Sequence, residues 1–205
     1  MLAVDTPHGR ANAHLHLAAD PRGALVLGHG AGGGVAAPDL MAVAGAARSE
    51  GFSVALVEQP YRVAGRRSSP AARKLDAAWS SVVYQLREGE LQGLPLVVGG
   101  RSAGARVACR TAEESGAAGV LCLAFPLMPP RRTGTVAQNR LSELDAVTLP
   151  TLVVQGVGDR FGMPPASATR TVAEVPGDHS LRTDPEAVAE AARAWLVGVL
   201  AERLA

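Results

Sequence analysis

The stretch from Leu94 to Ala108 constrains this chain more than any other. Leu94, Leu96, Val97 and Val98 form the short apolar run that a buried strand needs, and the run ends in Gly99-Gly100-Arg101-Ser102-Ala103-Gly104 before a helix-like segment. A Gly-x-Ser-x-Gly turn between strand and helix holds its serine in strained backbone geometry. Gly100 and Gly104 remove the Cβ atoms that would collide across the turn. Ser102 is therefore expected to stand clear, with its hydroxyl in a cleft. A five-residue pattern is not specific in a chain with 23 glycines, so the surrounding sequence must carry the argument.

At 205 residues the chain is long enough for one sizeable core and too short for two ordinary domains, so one domain over 1–205 is expected. Hydrophobic residues make up 47% and charged residues 19%, which excludes a disordered or fibrous chain. A formal charge of +1 gives no reason to expect a nucleic-acid partner. No apolar run approaches membrane-spanning length and no leader-like segment opens the sequence, so a cytoplasmic protein without membrane contact is expected. Cys109 and Cys122 lie inside apolar runs without metal-type spacing and read as buried free thiols.

The rest of the chain supplies repeated strand and helix signals. Residues 1 to 18 alternate, most clearly in Ala13-His14-Leu15-His16-Leu17, and are followed by a turn at Asp20-Pro21-Arg22-Gly23, which suggests a hairpin. His14 and His16 share a face, read as the solvated face of an edge strand, since no third metal ligand is near. Apolar strands are expected at Ala24–Leu27, Phe52–Val57, Val120–Ala124, Pro150–Gln155 and Thr171–Val175. Helices are expected at Pro38–Glu50, about Ala71–Leu91 and Ala103–Glu114, with a short one around Gln138–Leu144. A last helix is capped by Asp184 with Pro185 at its first position. The residues after Gln59-Pro60-Tyr61 read as loop, and 131–148 is too short for a lid.

A hairpin followed by strand-helix units implies a mostly parallel, twisted sheet with helices on both faces. Ligands in such sheets bind at the carboxyl ends of the strands. Ser102, Asp159 and His179 each follow a strand, in the order nucleophile, acid, histidine expected of an α/β-hydrolase. A serine hydroxyl is a weak nucleophile, so His179 would take its proton and Asp159 would hold the imidazole. Asp178 competes for the acid role, but a sequence neighbour seldom has the geometry to hold the ring. The backbone N–H groups of Ala31 and Ala103 would receive the oxyanion. Such chemistry needs no metal or organic cofactor. The glycine loop allows a second reading, because Gly28, Gly30 and Gly33 match a dinucleotide fingerprint and Glu58 could take the ribose position. That reading leaves Ser102, Asp159 and His179 without a role. A third reading keeps the fold as a non-catalytic interaction module.

Taken together, His29-Gly30-Ala31-Gly32, Pro60-Tyr61, Gly100-Arg101-Ser102-Ala103-Gly104, Phe125-Pro126-Leu127 with Pro129-Pro130, Gln155-Gly156 with Asp159 and Phe161-Gly162, and Asp178-His179-Ser180-Leu181 carry a family resemblance. Over nearly its whole length the chain resembles the α/β-hydrolase superfamily, in particular its small lidless dienelactone-hydrolase-like group. Within that group it is most similar to the hydrolase-like domain shared by a testis-expressed protein and a subunit of a histone-acetyltransferase complex. The resemblance implies an α/β-hydrolase fold without a lid domain and Ser102, Asp159 and His179 as the triad. His29, Tyr61, Arg101 and Met128 are expected on the substrate side. Met128 stands where relatives often carry histidine, and Ala103 where methionine is common. The implied partner is a small ester, lactone or thioester. Arg62, Arg66, Arg67, Arg101, Arg131, Arg132 and Arg160 fall in or beside loops at the same sheet edge and favour an anionic one.

Overall fold

The computed structural model describes residues 1–128 and 139–204. Its eight strands are β1 (Leu2–Thr6), β2 (Gly9–His16), β3 (Gly23–Gly28), β4 (Phe52–Glu58), β5 (Leu96–Arg101), β6 (Gly119–Leu123), β7 (Thr151–Gly156) and β8 (Arg170–Val175). They form one sheet in the order β1-β2-β4-β3-β5-β6-β7-β8. The hairpin β1–β2 joins β4 antiparallel, and every pairing from β4 to β8 is parallel. Six helices connect them: α1 (Pro38–Ser49), α2 (Pro60–Val63), α3 (Ala72–Glu88), α4 (Ala103–Thr111), α5 (Leu141–Asp145) and α6 (Pro185–Leu204).

Alternation along the buried strands sets the two faces. In β3, Ala24 and Val26 point to the layer of α3, α4 and α5, whereas Leu25 and Leu27 point to α1 and α6. The same division runs through β5, where Val98 meets the first layer and Val97 the second. α3 contributes Leu75, Ala78, Trp79, Val82, Val83 and Leu86, the stripe its sequence spacing predicts. α6 contributes Val188, Ala192, Leu196, Val199 and Leu200, with Trp195 packed at the margin. Asp184 Oδ1 accepts from the Ala187 N–H at 2.9 Å, so this helix begins with a side-chain cap.

Three sequence expectations are corrected here. The strand carrying His14 and His16 is not an edge: β2 lies between β1 and β4, and its hairpin turns at Pro7-His8, where Thr6 Oγ1 donates to the Gly9 carbonyl at 2.6 Å. The residues after Gln59 form the one-turn helix α2. The short helix begins at Leu141; Gln138, Pro129, Pro130, Arg131 and Arg132 lie outside the described residues. Cys109 and Cys122 are buried free thiols with their sulfurs 3.4 Å apart.

The chain leaves β3 in one direction along the sheet, through α1 to β4, and then returns over β3 through α3 to β5. This reversal opens a crevice between the carboxyl ends of β3 and β5. Ser102 lies on one side of it and the glycine loop on the other.

Candidate active site

Ser102 has φ 52° and ψ −106°, a conformation disfavoured for a residue with a Cβ, costing about 1–3 kcal/mol. Its N–H donates to the Leu123 carbonyl at 2.9 Å, tying the turn to β6. The flanking glycines are needed because β3 passes against the turn. A Cβ on Gly100 would lie 2.5 Å from the Gly28 oxygen, and one on Gly104 would lie 2.6 Å from the Gly28 carbonyl carbon. Gly28 is itself pressed by Trp79, whose ring would be 3.1 Å from a Cβ there. The elbow, β3 and α3 are thus packed backbone against backbone and ring.

Three side chains distant in sequence meet at this turn. Ser102 Oγ lies 2.9 Å from His179 Nε2, and His179 Nδ1 lies 2.7 Å from Asp159 Oδ2. A carboxylate only accepts, so Nδ1 carries the ring proton and Nε2 presents its lone pair to the serine hydroxyl. The Asp159 side chain is 1% exposed and fully bonded: Oδ1 accepts from the Phe161 N–H at 2.8 Å, and Oδ2 also accepts from Gln155 Nε2 at 2.8 Å. Gln155 Nε2 also reaches the Phe125 and Gly162 carbonyls, so this buried amide joins the loops after β6 and β7. Phe161 packs edge-on against the His179 ring, centroids 4.5 Å apart. Asp178 is turned away: its Oδ1 accepts from the N–H and hydroxyl of Ser180, closing its own turn.

The glycine loop sits beside Ser102. A Cβ on Gly30 would be 3.6 Å from Ser102 Cβ. Ala31 is steadied through its carbonyl, which accepts from Tyr61 Oη at 2.8 Å. Among the described residues, neither the Ala31 nor the Ala103 N–H donates to a protein acceptor. Ala103 opens α4, so its N–H is one of the free donors of a helix start. The dinucleotide reading needs a helix to begin at these glycines, and α1 begins only at Pro38. Glu58 is turned to Asn12 and His14 of β2. Among the described residues no three of His, Cys, Asp and Glu form a metal-binding group.

The four residues expected on the substrate side divide. Met128 is 37% exposed, its N–H bonded to the carbonyl of Phe161, the residue that packs on His179. His29 is 3% exposed and bridges two loops: Nε2 accepts from the Gln59 N–H at 3.1 Å, so Nδ1 carries the proton and donates to the Gly30 carbonyl at 2.8 Å. Burial pushes its pKa down, and both ring nitrogens are committed to the protein. Tyr61 is 7% exposed; burial raises its pKa, and its hydroxyl serves Ala31. Arg101 places Nε 2.8 Å from Asp39 Oδ2 and donates through Nη2 to the His179 carbonyl at 2.9 Å. Burial pushes the Asp39 carboxyl up, and the guanidinium beside it pulls the other way. Asp39 is not singled out by the sequence, and Gln155 enters there only among the residues that carry the resemblance, without a role. Asp39 carries a signal, as an acid in the first turn of a helix whose following stretch, Leu40–Ala47, holds no charged or polar side chain.

A family model of the alpha/beta hydrolase domain matches residues 21–193, and the chain belongs to that family. The chain is similar in structure to Est1E from Butyrivibrio proteoclasticus, with a TM-score of 0.77 at 16% identity over 98% of each chain. It is similar to XC6422 from Xanthomonas campestris, a serine hydrolase without a lid, with a TM-score of 0.71 at 19% identity over 95% of this chain and 93% of that one. A dienelactone hydrolase from Anabaena variabilis gives 0.76 at 18% identity over 96% and 95%. At these identities the likeness is one of fold. No curated protein matches the sequence.

Proposed function

We propose that the protein is a serine hydrolase that cleaves an ester, lactone or thioester through an acyl-serine intermediate. The observation that carries this reading is the continuous path from Asp159 Oδ2 through the His179 ring to Ser102 Oγ, built on a strained serine at the crevice. His179 Nε2 takes the hydroxyl proton as Oγ bonds to the substrate carbonyl carbon, and the carbonyl π electrons move onto oxygen. The Ala31 and Ala103 N–H groups receive that oxyanion, at roughly 3 kcal/mol per donor in comparable sites. Collapse expels the alcohol or thiol, which leaves with the proton from His179. Water then gives a proton to Nε2 as its oxygen bonds to the acyl carbon; collapse of this second tetrahedral species breaks the acyl–Oγ bond, Ser102 Oγ takes the proton back from Nε2, and the carboxylic acid leaves.

Asp159 holds the ring and balances its charge while it is an imidazolium. The Gln155 and Phe161 contacts keep that carboxylate from rotating. The reading calls for one domain, no cofactor and a small-molecule substrate. Among the described residues no helix is long and apolar enough to cross a membrane, and we place the activity in the cytoplasm.

The test is labelling with a fluorophosphonate, followed by a panel of 4-nitrophenyl esters. Wild type should take up one label per chain and turn over short acyl esters. Ser102→Ala should take up none and lose on the order of 10⁴-fold or more in kcat. An unlabelled wild type inert toward the whole panel would leave an interaction module on a hydrolase fold.

A further inference from the structure

We infer that Arg101, the residue before the nucleophile, is a positioning residue that locks the His179 loop and the oxyanion loop to helix α1 through buried Asp39. The inference rests on the serine-hydrolase reading and adds a residue to it. One guanidinium makes two polar contacts in different directions and passes close over the glycine loop. Nε meets Asp39 Oδ2 at 2.8 Å, and Nη2 donates to the His179 carbonyl at 2.9 Å. Nη1 lies across Gly30 so closely that a Cβ there would be 2.8 Å away. A side chain at Gly30 would therefore displace the Arg101 guanidinium from this position.

The anchor of this arrangement is rigid. Asp39 is fully buried, sits in the first turn of α1 and receives the Leu40 N–H on Oδ1 at 3.0 Å. A carboxylate there is favoured by the helix dipole. The Arg101 side chain is only 18% exposed, with its fork turned inward toward protein atoms. A substrate-binding arginine would keep its fork free for a ligand. This one instead joins the strained serine, to which it is the chain neighbour, with the main chain of the histidine and the Gly30 end of the glycine loop. The ring of His179 is set from one side by Asp159 and Phe161, and its main chain from the other by Arg101.

Arg101→Lys separates positioning from charge, because an ammonium keeps the charge but is a compact group that cannot reach Asp39 and the His179 carbonyl at once as the extended planar fork does. On 4-nitrophenyl acetate we expect kcat to fall on the order of 10²-fold with KM within about threefold, the pattern of a displaced catalytic group. Asp39→Asn should lose about tenfold, and the double variant should be no worse than Arg101→Lys alone. A merely structural role would reduce the amount of folded protein without moving the ring. The ring is read directly by NMR, from the downfield proton of His179 Nδ1 in its bond to Asp159, assigned by its absence in His179→Gln.

That signal should be present in wild type and shifted or lost in Arg101→Lys that is folded by circular dichroism. A folded Arg101→Lys keeping the wild-type signal overturns the inference, whatever its activity. Should Arg101→Lys fail to fold, Asp39→Asn is judged by the same signal. If wild type neither labels nor hydrolyses, the hydrolase reading falls, and the proton signal still decides the role of Arg101.

Discussion

His29 shows how a residue can belong to a motif and yet act on the protein alone. Its ring joins the loops after β3 and β4, with Nε2 accepting from Gln59 and Nδ1 donating to Gly30, an arrangement that requires the neutral ring. Burial is the main cause that holds its pKa below the ordinary 6.5. In the unfolded chain the imidazole takes its proton near that ordinary value, so below it the unfolded state binds more protons than the folded one. The stabilisation is therefore complete above about pH 6.5 and is lost progressively as the pH falls below it. His29→Gln should be less stable than wild type by about 1–3 kcal/mol at pH 7.5, as expected when buried partners lose their bonds. That gap should narrow by pH 5.0, because only wild type carries the proton-linked loss. Urea unfolding at the two pH values measures it, and a gap of constant size would mean that the ring does not titrate between the two states. The meeting of Ser102, Asp159 and His179 at one sheet edge was legible because each follows a strand. The pairing of Arg101 with Asp39 was not: beside the elbow serine the arginine reads as a substrate-side group, and nothing local tells that its partner is a buried acid at the start of α1.

At the scale of elements, the elbow depends on how close β3, β5 and α4 can come. Gly104 lies in the first turn of α4 against the main chain of β3, where a Cβ would meet the Gly28 carbonyl and lie 2.9 Å from the His29 oxygen. Alanine favours a helix over glycine by about 1 kcal/mol. That gain is outweighed, because both obstacles are main chain, the last residue of central strand β3 and the one after it, and cannot swing aside. Gly104→Ala should therefore cost about 3 kcal/mol or more. Gly32→Ala, in the same loop system with nothing within 4 Å and no positive φ, should stay within about 0.5 kcal/mol of wild type. Urea midpoints with unchanged slopes separate the two, and a Gly104→Ala protein as stable as Gly32→Ala would refute the packing account. The strands of this sheet were legible because buried parallel strands are continuous apolar runs, and α3 and α6 because their stripes repeat over many turns. α2 was not, since a single turn has no period to read. The position of β2 was also hidden: alternation reveals one half-covered face but not that β1 closes the outer edge.

At the scale of the whole molecule, the remaining question is what the cationic loops do for a substrate that approaches the crevice. The seven arginines expected at this edge are not equivalent. Arg101 is committed to Asp39 and His179, whereas Arg131 and Arg132 lie outside the described residues. Arg66, Arg67 and Arg160 are exposed. Of these three, Arg160 lies against the candidate site, its guanidinium carbon 4.9 Å from the centre of the Phe161 ring that packs on His179. A formal charge of +1 gives no strong long-range field, so any steering must come from this local asymmetry. Exposed charges act over about 10 Å at 0.1 M salt and about 3 Å at 1 M, so the effect should vanish as salt rises. For 4-nitrophenyl hemisuccinate, kcat/KM should fall several-fold between about 0.05 M and 0.5 M sodium chloride, while 4-nitrophenyl butyrate should be unaffected. Arg160→Glu should remove most of the preference for the acidic ester at low salt and leave the neutral ester within about twofold, since its side chain lies beside the triad and outside it. Equal turnover of both esters with no salt effect would show that the arginines merely solvate a lysine-poor surface.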